Sequence, residues 1–196
     1  MPDASTWLVV GLGNPGAQYE RTRHNVGQMV AAELASRVGA SFSGHKRANA
    51  RVAEGRTAPG GPKLVLGLPN SFMNLSGGPV AGLASYYGVP PERIIVVHDE
   101  LDLPFDTVRL KVGGGHGGHN GLRDIIAALG SREFLRVRVG IGRPPGRQDP
   151  ADYVLKEFAS TERAALPILI GDAADAVEAI ATDGLTAAQQ RFHSPA

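Results

Sequence analysis

The sequence predicts an α/β sandwich in which a mostly parallel sheet is covered on both faces. Three observations carry that expectation. Short apolar runs of strand length alternate with longer segments whose apolar residues recur at helical spacing. Several helical segments are closed by glycine, as at Gly39, Gly130 and Gly184. Runs such as Ile94-Ile95-Val96-Val97 are continuously apolar, as strands buried on both faces are.

The elements follow in order. Trp7 to Val10 is a buried first strand running into a Gly-rich turn. Asn25 to Val38 reads as a helix, with Val26, Met29, Val30, Leu34 and Val38 at helical spacing and Gly39 as its C-cap. Ala48–Glu54 and Lys63–Leu68 are strands joined by the loop Arg56–Pro62. Ser76 is placed to cap a helix that runs to Tyr87, with Pro79 in its first turn. Arg93–Val97 is a buried strand ending at His98-Asp99, and Thr107–Val112 alternates as a strand does. Asn120–Leu129 is a helix closed by Gly130, with Asn120 a candidate N-cap. Phe134–Ile141 sets Leu135, Val137, Val139 and Ile141 on one face and Arg136 and Arg138 on the other. A long helix is expected from about Thr161 to Thr182, with Pro167 in its first two turns or kinking it. Functional loops in such a fold lie beyond the carboxyl ends of the strands. The segments Gly13–Asn25, Asn70–Gly77 and His98–Pro104 fall there.

The 196 residues, 42% of them hydrophobic, suit one globular domain. The chain has no cysteine, which excludes disulfides and Cys-based metal sites. Met1–Thr6 is short and polar, without the basic flank and apolar core of a secretory leader. No apolar run approaches the length of a membrane span. A soluble, cytoplasmic protein is expected, with no membrane association. The net charge of +1 is unevenly spread. Leu103–Arg147 carries eight bases against three acids, a net of +5, and the chain from Gln148 onward carries −5. A basic segment in a nearly neutral chain fits either a confined polyanion site or a solvated charged face.

Gly11-Leu12-Gly13-Asn14-Pro15-Gly16 matches the G-x-G-x-x-G dinucleotide fingerprint, but its context does not. Pro15 removes an amide donor, and the next helix starts near Asn25, too late to aim at a phosphate in that turn. The acid about twenty residues on, Glu33, lies within a helix. The loop leads instead to His24, at a loop-to-helix junction, where a histidine either caps the helix or is held ready to react. Asn74, in Ser71–Gly77, is either an Asx-turn residue or a donor and acceptor for a ligand. Asp99 follows a buried strand, where a carboxylate either makes a turn or orients a base. Gly113–Gly121 holds six glycines in nine residues, too many for a stable helix or strand interior. His116 and His119, on so pliant a backbone, make a poor preformed metal pair, and no metal is expected.

Taken in order, Gly11–Gly16, Thr22–Gly27, Ser71–Gly77, His98–Pro104, Gly113–Leu122 and Arg136–Pro144 resemble the bacterial peptidyl-tRNA hydrolases across essentially the whole chain. The resemblance implies a single-domain, three-layer α/β/α sandwich with a mixed, mostly parallel central sheet. It implies hydrolysis, without metal or other cofactor, of the ester that joins a peptide to the 3′-terminal ribose of tRNA. His24 then corresponds to the general base and Asp99 to its orienting partner. Asn14, Asn74 and Asn120 correspond to substrate-positioning amides, and Tyr19, Met73 and His119 to further groups lining the cleft. Arg109, Lys111 and Arg138 match a basic face that contacts the tRNA acceptor end, with Arg136 and Arg143 as lesser members. A monomer whose partner is peptidyl-tRNA is expected.

The chemistry agrees with that reading. An ester is an activated acyl group, so water assisted by a base attacks it without a covalent nucleophile, and a positioned base contributes ~10²–10⁴-fold. No cysteine nucleophile and no G-x-S-x-G elbow is present. Two competitors remain. A non-catalytic RNA-binding relative would keep the basic face without needing His24 and Asp99, and a nucleotide-binding module would use the Gly-rich turn.

Overall fold

A computed structural model describes residues 6–193. Apart from Thr6, the polar stretch that opens the chain lies outside the described residues. Among the described residues seven strands form one sheet: β1 (Thr6–Gly11), β2 (Ser43–Gly44), β3 (Ala50–Arg56), β4 (Lys63–Pro69), β5 (Ile94–Glu100), β6 (Val108–Val112) and β7 (Leu135–Gly140), in the order β2-β3-β4-β1-β5-β7-β6. The central neighbours β4, β1, β5 and β7 are parallel. β3 pairs antiparallel with β4, β6 with β7, and the short β2 with β3. The sheet is therefore mixed, with five strands pointing one way. The chain leaves β1 for β4 on one side and returns to β5 on the other, so a switch point lies beyond the carboxyl end of β1.

The helices are α1 (Val26–Arg37), α2 (Gly77–Tyr87), α3 (Asn120–Leu129), α4 (Pro150–Val154), α5 (Ser160–Arg163), α6 (Leu166–Asp183) and α7 (Leu185–His193). Val26, Val30 and Leu34 of α1 and Leu169, Val177 and Ile180 of α6 pack on one face of the sheet with Val9, Ile95, Val97, Val137 and Val139. Val80 and Leu83 of α2 and Leu122 and Ile125 of α3 pack on the other with Leu8, Val10, Val65 and Val96. Three layers result, as expected. Among the described residues no helix is long and apolar enough to cross a membrane.

The differences from expectation lie at element ends and in the C-terminal helices. β5 runs through His98 and Asp99 to Glu100, so both side chains belong to a strand rather than to the turn after it. Asn25 sits in a 3₁₀ turn, Arg23–Asn25, that precedes α1. Ser76 is already helical, and its hydroxyl donates back to the Met73 carbonyl (2.6 Å) instead of capping α2. Asn120 does not cap α3; His119 does. The expected long helix is two, because Pro167 has no amide to extend α5 and instead takes the first turn of α6. α7 was not anticipated. Its Gln189 donates to the Leu110 carbonyl (3.0 Å), and His193 Nε2 accepts from the Leu110 amide (2.8 Å), which covers the edge of β6.

Helix α1 meets β1 and β5 backbone to backbone. A Cβ on Gly11 would lie 2.5 Å from the Gly27 carbonyl oxygen, and a Cβ on Gly27 would fall onto the Val97 carbonyl oxygen. Gly27→Ala is expected to lower stability by about 3 kcal/mol, because neither backbone can yield. Urea unfolding with an unchanged m-value checks it; a loss under about 0.5 kcal/mol, typical of an uncoupled surface change, would be the contrary result.

Candidate active site

The strand ends bring three loops together, and their own side chains lock them. The Asn25 side chain accepts from the Asn14 amide and donates to the Asn14 carbonyl, both at 2.9 Å, as a paired backbone would. Asn14 Oδ1 accepts from the Met73 amide at 2.7 Å, which ties in the loop after β4. The turn holding His24 is also pinned from the α4 side. Buried Arg23 donates to the Tyr153 carbonyl (3.2 Å) and to Glu162 (3.3 Å), its guanidinium 3.8 Å over the Tyr153 ring, while its amide donates to the Lys156 carbonyl.

His24 is thereby held against Asp99. His24 Nδ1 lies 2.8 Å from Asp99 Oδ2, and His119 Nε2 lies 2.9 Å from Asp99 Oδ1. The proton positions follow from what the other atoms do. His119 Nδ1 accepts from the Gly121 and Leu122 amides at 3.1 and 3.3 Å, so its hydrogen is on Nε2 and points at the carboxylate. Asp99 is ionised, so His24 donates through Nδ1, and its Nε2 is left bare towards the cleft. The cleft is lined by His24, Asp99, His119 and Asn120, with Gly117 and Gly118 on one wall and Pro150, Ala151 and Val154 of α4 on the other.

Burial works against each charge here, and partners decide the outcome. Burial disfavours the Asp99 anion, yet the two imidazoles draw its pKa well below the usual carboxylate range. Burial disfavours His24 imidazolium too, but the charge and hydrogen bond of Asp99 raise its pKa above 6.5. His98 is 1% exposed, its Nδ1 donating to the Asp99 carbonyl (2.8 Å) and its Nε2 buried without a partner among the described residues. Burial, and then the nearby His119, push it down to about 3, so it stays neutral.

The ligand atoms of His24, Asp99 and His119 lie within 4.8 Å of one another, close enough for an ion to be considered. Hydrogen bonds already use them: each facing N–H points at the carboxylate, and His119's other nitrogen holds two amides. The cluster is built as a hydrogen-bonded relay.

The remaining expected residues are spread more widely than the cleft. Met73 is buried beside His119, and a Cβ on Gly121 would meet the Met73 sulfur at 2.7 Å and the His119 ring at 3.1 Å. Tyr19 is half-buried, edge-on to Phe72 at 6.2 Å, and Asn74 is exposed on the 3₁₀ turn Met73–Leu75. Neither lines the cleft around the histidines. Arg109, Lys111 and Arg138 share one face of β6 and β7, where Arg109 pairs with Arg138 and Lys111 with Arg136. Arg109 also donates to the Phe192 carbonyl of α7 (3.3 Å). Arg143 is exposed and paired with Asp102. Arg136 is corrected: it is buried, not part of an open face. Nothing in the sequence marks Arg23, Asn25 or His98 as partners of the site: the roles of Arg23 and Asn25 come from contacts across 11 to 139 residues, and that of His98 from its burial beside the His119 ring.

An imidazole backed by a buried carboxylate, beyond the carboxyl ends of parallel strands, defines a hydrolase-type site that delivers a base to water. The family model described as peptidyl-tRNA hydrolase matches residues 8–196, and the chain belongs to that family. A peptidyl-tRNA hydrolase of Kineococcus radiotolerans is 66% identical, with all of both chains covered. One of Pseudarthrobacter chlorophenolicus is 63% identical over 96% of this chain and 95% of its own. The crystal structure of the peptidyl-tRNA hydrolase of Acinetobacter baumannii matches with a TM-score of 0.89 at 35% identity, covering 97% of this chain and 96% of that one.

The electrostatics set a titration that NMR can follow. The His24 ring is expected to titrate above 6.5 and to move below it in Asp99→Asn, where burial is no longer opposed. His98 is expected to stay neutral from pH 8 to pH 5. A His24 midpoint that does not respond to Asp99→Asn would contradict the coupling.

Proposed function

We propose that the chain is a metal-independent esterase that hydrolyses the bond between a peptide, or an N-blocked amino acid, and the 3′-terminal ribose of tRNA. The observation that carries this is the Asp99 carboxylate accepting from two histidines, which leaves His24 Nε2 bare at the cleft. His24 takes a proton from water as the oxygen attacks the ester carbonyl. Asp99 stabilises the imidazolium that forms. As the tetrahedral intermediate collapses, His24 returns the proton to the departing ribose oxygen, giving free tRNA and a carboxylic acid.

The oxyanion needs oriented donors. Asn14 suits the role because the Met73 amide holds its oxygen, so its NH₂ is turned elsewhere and has no partner among the described residues. Asn120, at the first turn of α3 and lining the cleft, is the other candidate donor, and Asn74, exposed on the turn Met73–Leu75 outside that cleft, suits the peptide side of the substrate. Such a donor is worth on the order of 10²–10³ in rate. His119 serves by holding the second carboxylate oxygen, and Tyr19 and Met73 by bounding the substrate's path.

Lys111 and Arg138 form the core of the proposed tRNA contact, with Arg109 beside them. Burial and the charges of Arg136 and Arg138 lower the Lys111 pKa, and Arg138 Nε is buried without a partner among the described residues. Cations pressed together in this way are stabilised by a phosphate. A non-catalytic RNA-binding role would leave the paired histidines without use. The same reading takes the whole chain as one domain, acting as a monomer in the cytoplasm.

Release of free tRNA from an N-blocked aminoacyl-tRNA tests the proposal. His24→Ala is expected to remove most activity, and Asp99→Asn to lower kcat on the order of 10²–10⁴-fold with little change in KM. Activity of the parent should fall as pH drops through the raised His24 pKa, because the protonated ring cannot accept a proton. A profile flat to pH 5, or full activity in His24→Ala, would overturn the assignment. Lys111→Ala should flatten the slope of log affinity against log salt by roughly 0.7–0.9 for tRNA. It should leave a short 3′-end ester fragment nearly unaffected; equal losses on both would remove Lys111 from the RNA contact.

A further inference from the structure

The loop that delivers His119 and Asn120 has almost no conformational preference of its own. Six of the nine residues from Gly113 to Gly121 are glycine, and Gly113, Gly114, Gly117 and Gly118 all have positive φ. Glycine loses more freedom on ordering than any other residue. Yet a reacting constellation must be held to about 0.5 Å. Something outside the loop has to fix it.

Arg136 is placed to do so. It lies in β7, opposite Lys111 of β6, and only 1% of it is exposed. Its guanidinium donates through Nη1 to the Gly115 carbonyl at 2.5 Å and through Nη2 to the Gly114 carbonyl at 2.8 Å, with the Arg132 carbonyl at 3.5 Å. It stacks 4.6 Å above the Phe134 ring, and Nε is buried with no partner among the described residues. Burial and the neighbouring Arg138 and Arg132 charges all work against the cation, and no carboxylate bonds to it among the described residues. An apolar residue would be the cheaper occupant of such a position. A planar fork that grips two consecutive carbonyls is what only arginine offers.

We propose that Arg136 is a positioning residue for the hydrolysis: its buried fork grips the Gly114 and Gly115 carbonyls and so fixes the loop that carries His119 to Asp99 and Asn120 to the cleft. It acts through the loop and does not touch RNA, unlike its partly exposed neighbours Lys111 and Arg138. The inference rests on the hydrolase reading above for its kinetic consequence and stands apart from it for the anchoring.

Arg136→Met and Arg136→Lys separate the alternatives. Arg136→Met is expected to lower kcat by on the order of 10²-fold, since a misplacement of about 1 Å can cost that much. The loss should be equal for whole N-blocked aminoacyl-tRNA and for a short 3′-end fragment, with KM and the salt slope of tRNA affinity unchanged. Amide hydrogen exchange over residues 114–120 should speed up while β1 and α2 keep their protection. Arg136→Lys keeps the charge without the fork and is expected to recover only part of the rate; it carries the test if the Met variant does not fold. Loss confined to whole tRNA, with the salt slope flattened by about one phosphate contact, would make Arg136 an RNA contact and overturn the proposal. So would full recovery by lysine, or unchanged loop exchange. If the parent hydrolyses neither substrate, the hydrolase reading fails, and the exchange measurement still decides the anchoring.

Discussion

Asp99 is 3% exposed near the end of a strand whose apolar residues are buried on both faces. An ion buried there is costly unless each oxygen is satisfied. Two imidazole N–H groups satisfy them, one from the loop after β1 and one from the cap of α3. The rest of the site follows from that carboxylate. It fixes which nitrogen of His24 carries hydrogen, it raises the basicity of the free nitrogen, and it joins two segments 95 residues apart in the chain. His119 is held from the other side by two backbone amides, so it has one orientation and one proton position available.

The scaffold's contribution is to make that meeting rigid. The loops beyond parallel strands β1 and β4 are tied by the Asn14–Asn25–Met73 bonds, and β5 runs on past the end of β1, Gly11 lying opposite Val97, which carries Asp99 beyond it. Gly27 lets α1 approach β1 and β5 closely enough for His24 to reach Asp99, and Gly121 leaves room for the Met73 sulfur against the His119 ring. The α4 segment, held by Arg23, closes the opposite wall. A base that must act within tenths of an ångström is thus set on a strand end and two helix starts rather than on free loops.

Much of this was legible in the sequence where one residue's role is set by its neighbours in the chain. The apolar runs of β1 and β5, the alternation in β7 and the glycine stop after α3 are local signals; the break before Pro167 was not read, because a proline fits the first turn of one long helix as well as the start of a second. His24 and Asp99 were legible through the motifs around them. The cap of α3 was misplaced by one residue because asparagine is the commoner N-cap, whereas here the imidazole of His119 takes the amides. Arg136 read as one more base on an alternating strand. Its burial depends on a glycine loop folding over it, about twenty residues earlier in the chain, which no spacing rule registers. α7 was missed for a similar reason: it is short and weakly apolar, and it is held by hydrogen bonds to the edge of β6.

The division of protons around Asp99 is the central claim, and ¹⁵N chemical shifts of the ring nitrogens read it directly. At a pH well above the His24 midpoint, His24 should show a protonated Nδ1 and a bare Nε2, and His119 the reverse, a protonated Nε2 and an acceptor Nδ1. A His24 ring protonated on Nε2, or two nitrogens averaged by tautomer exchange, would contradict it.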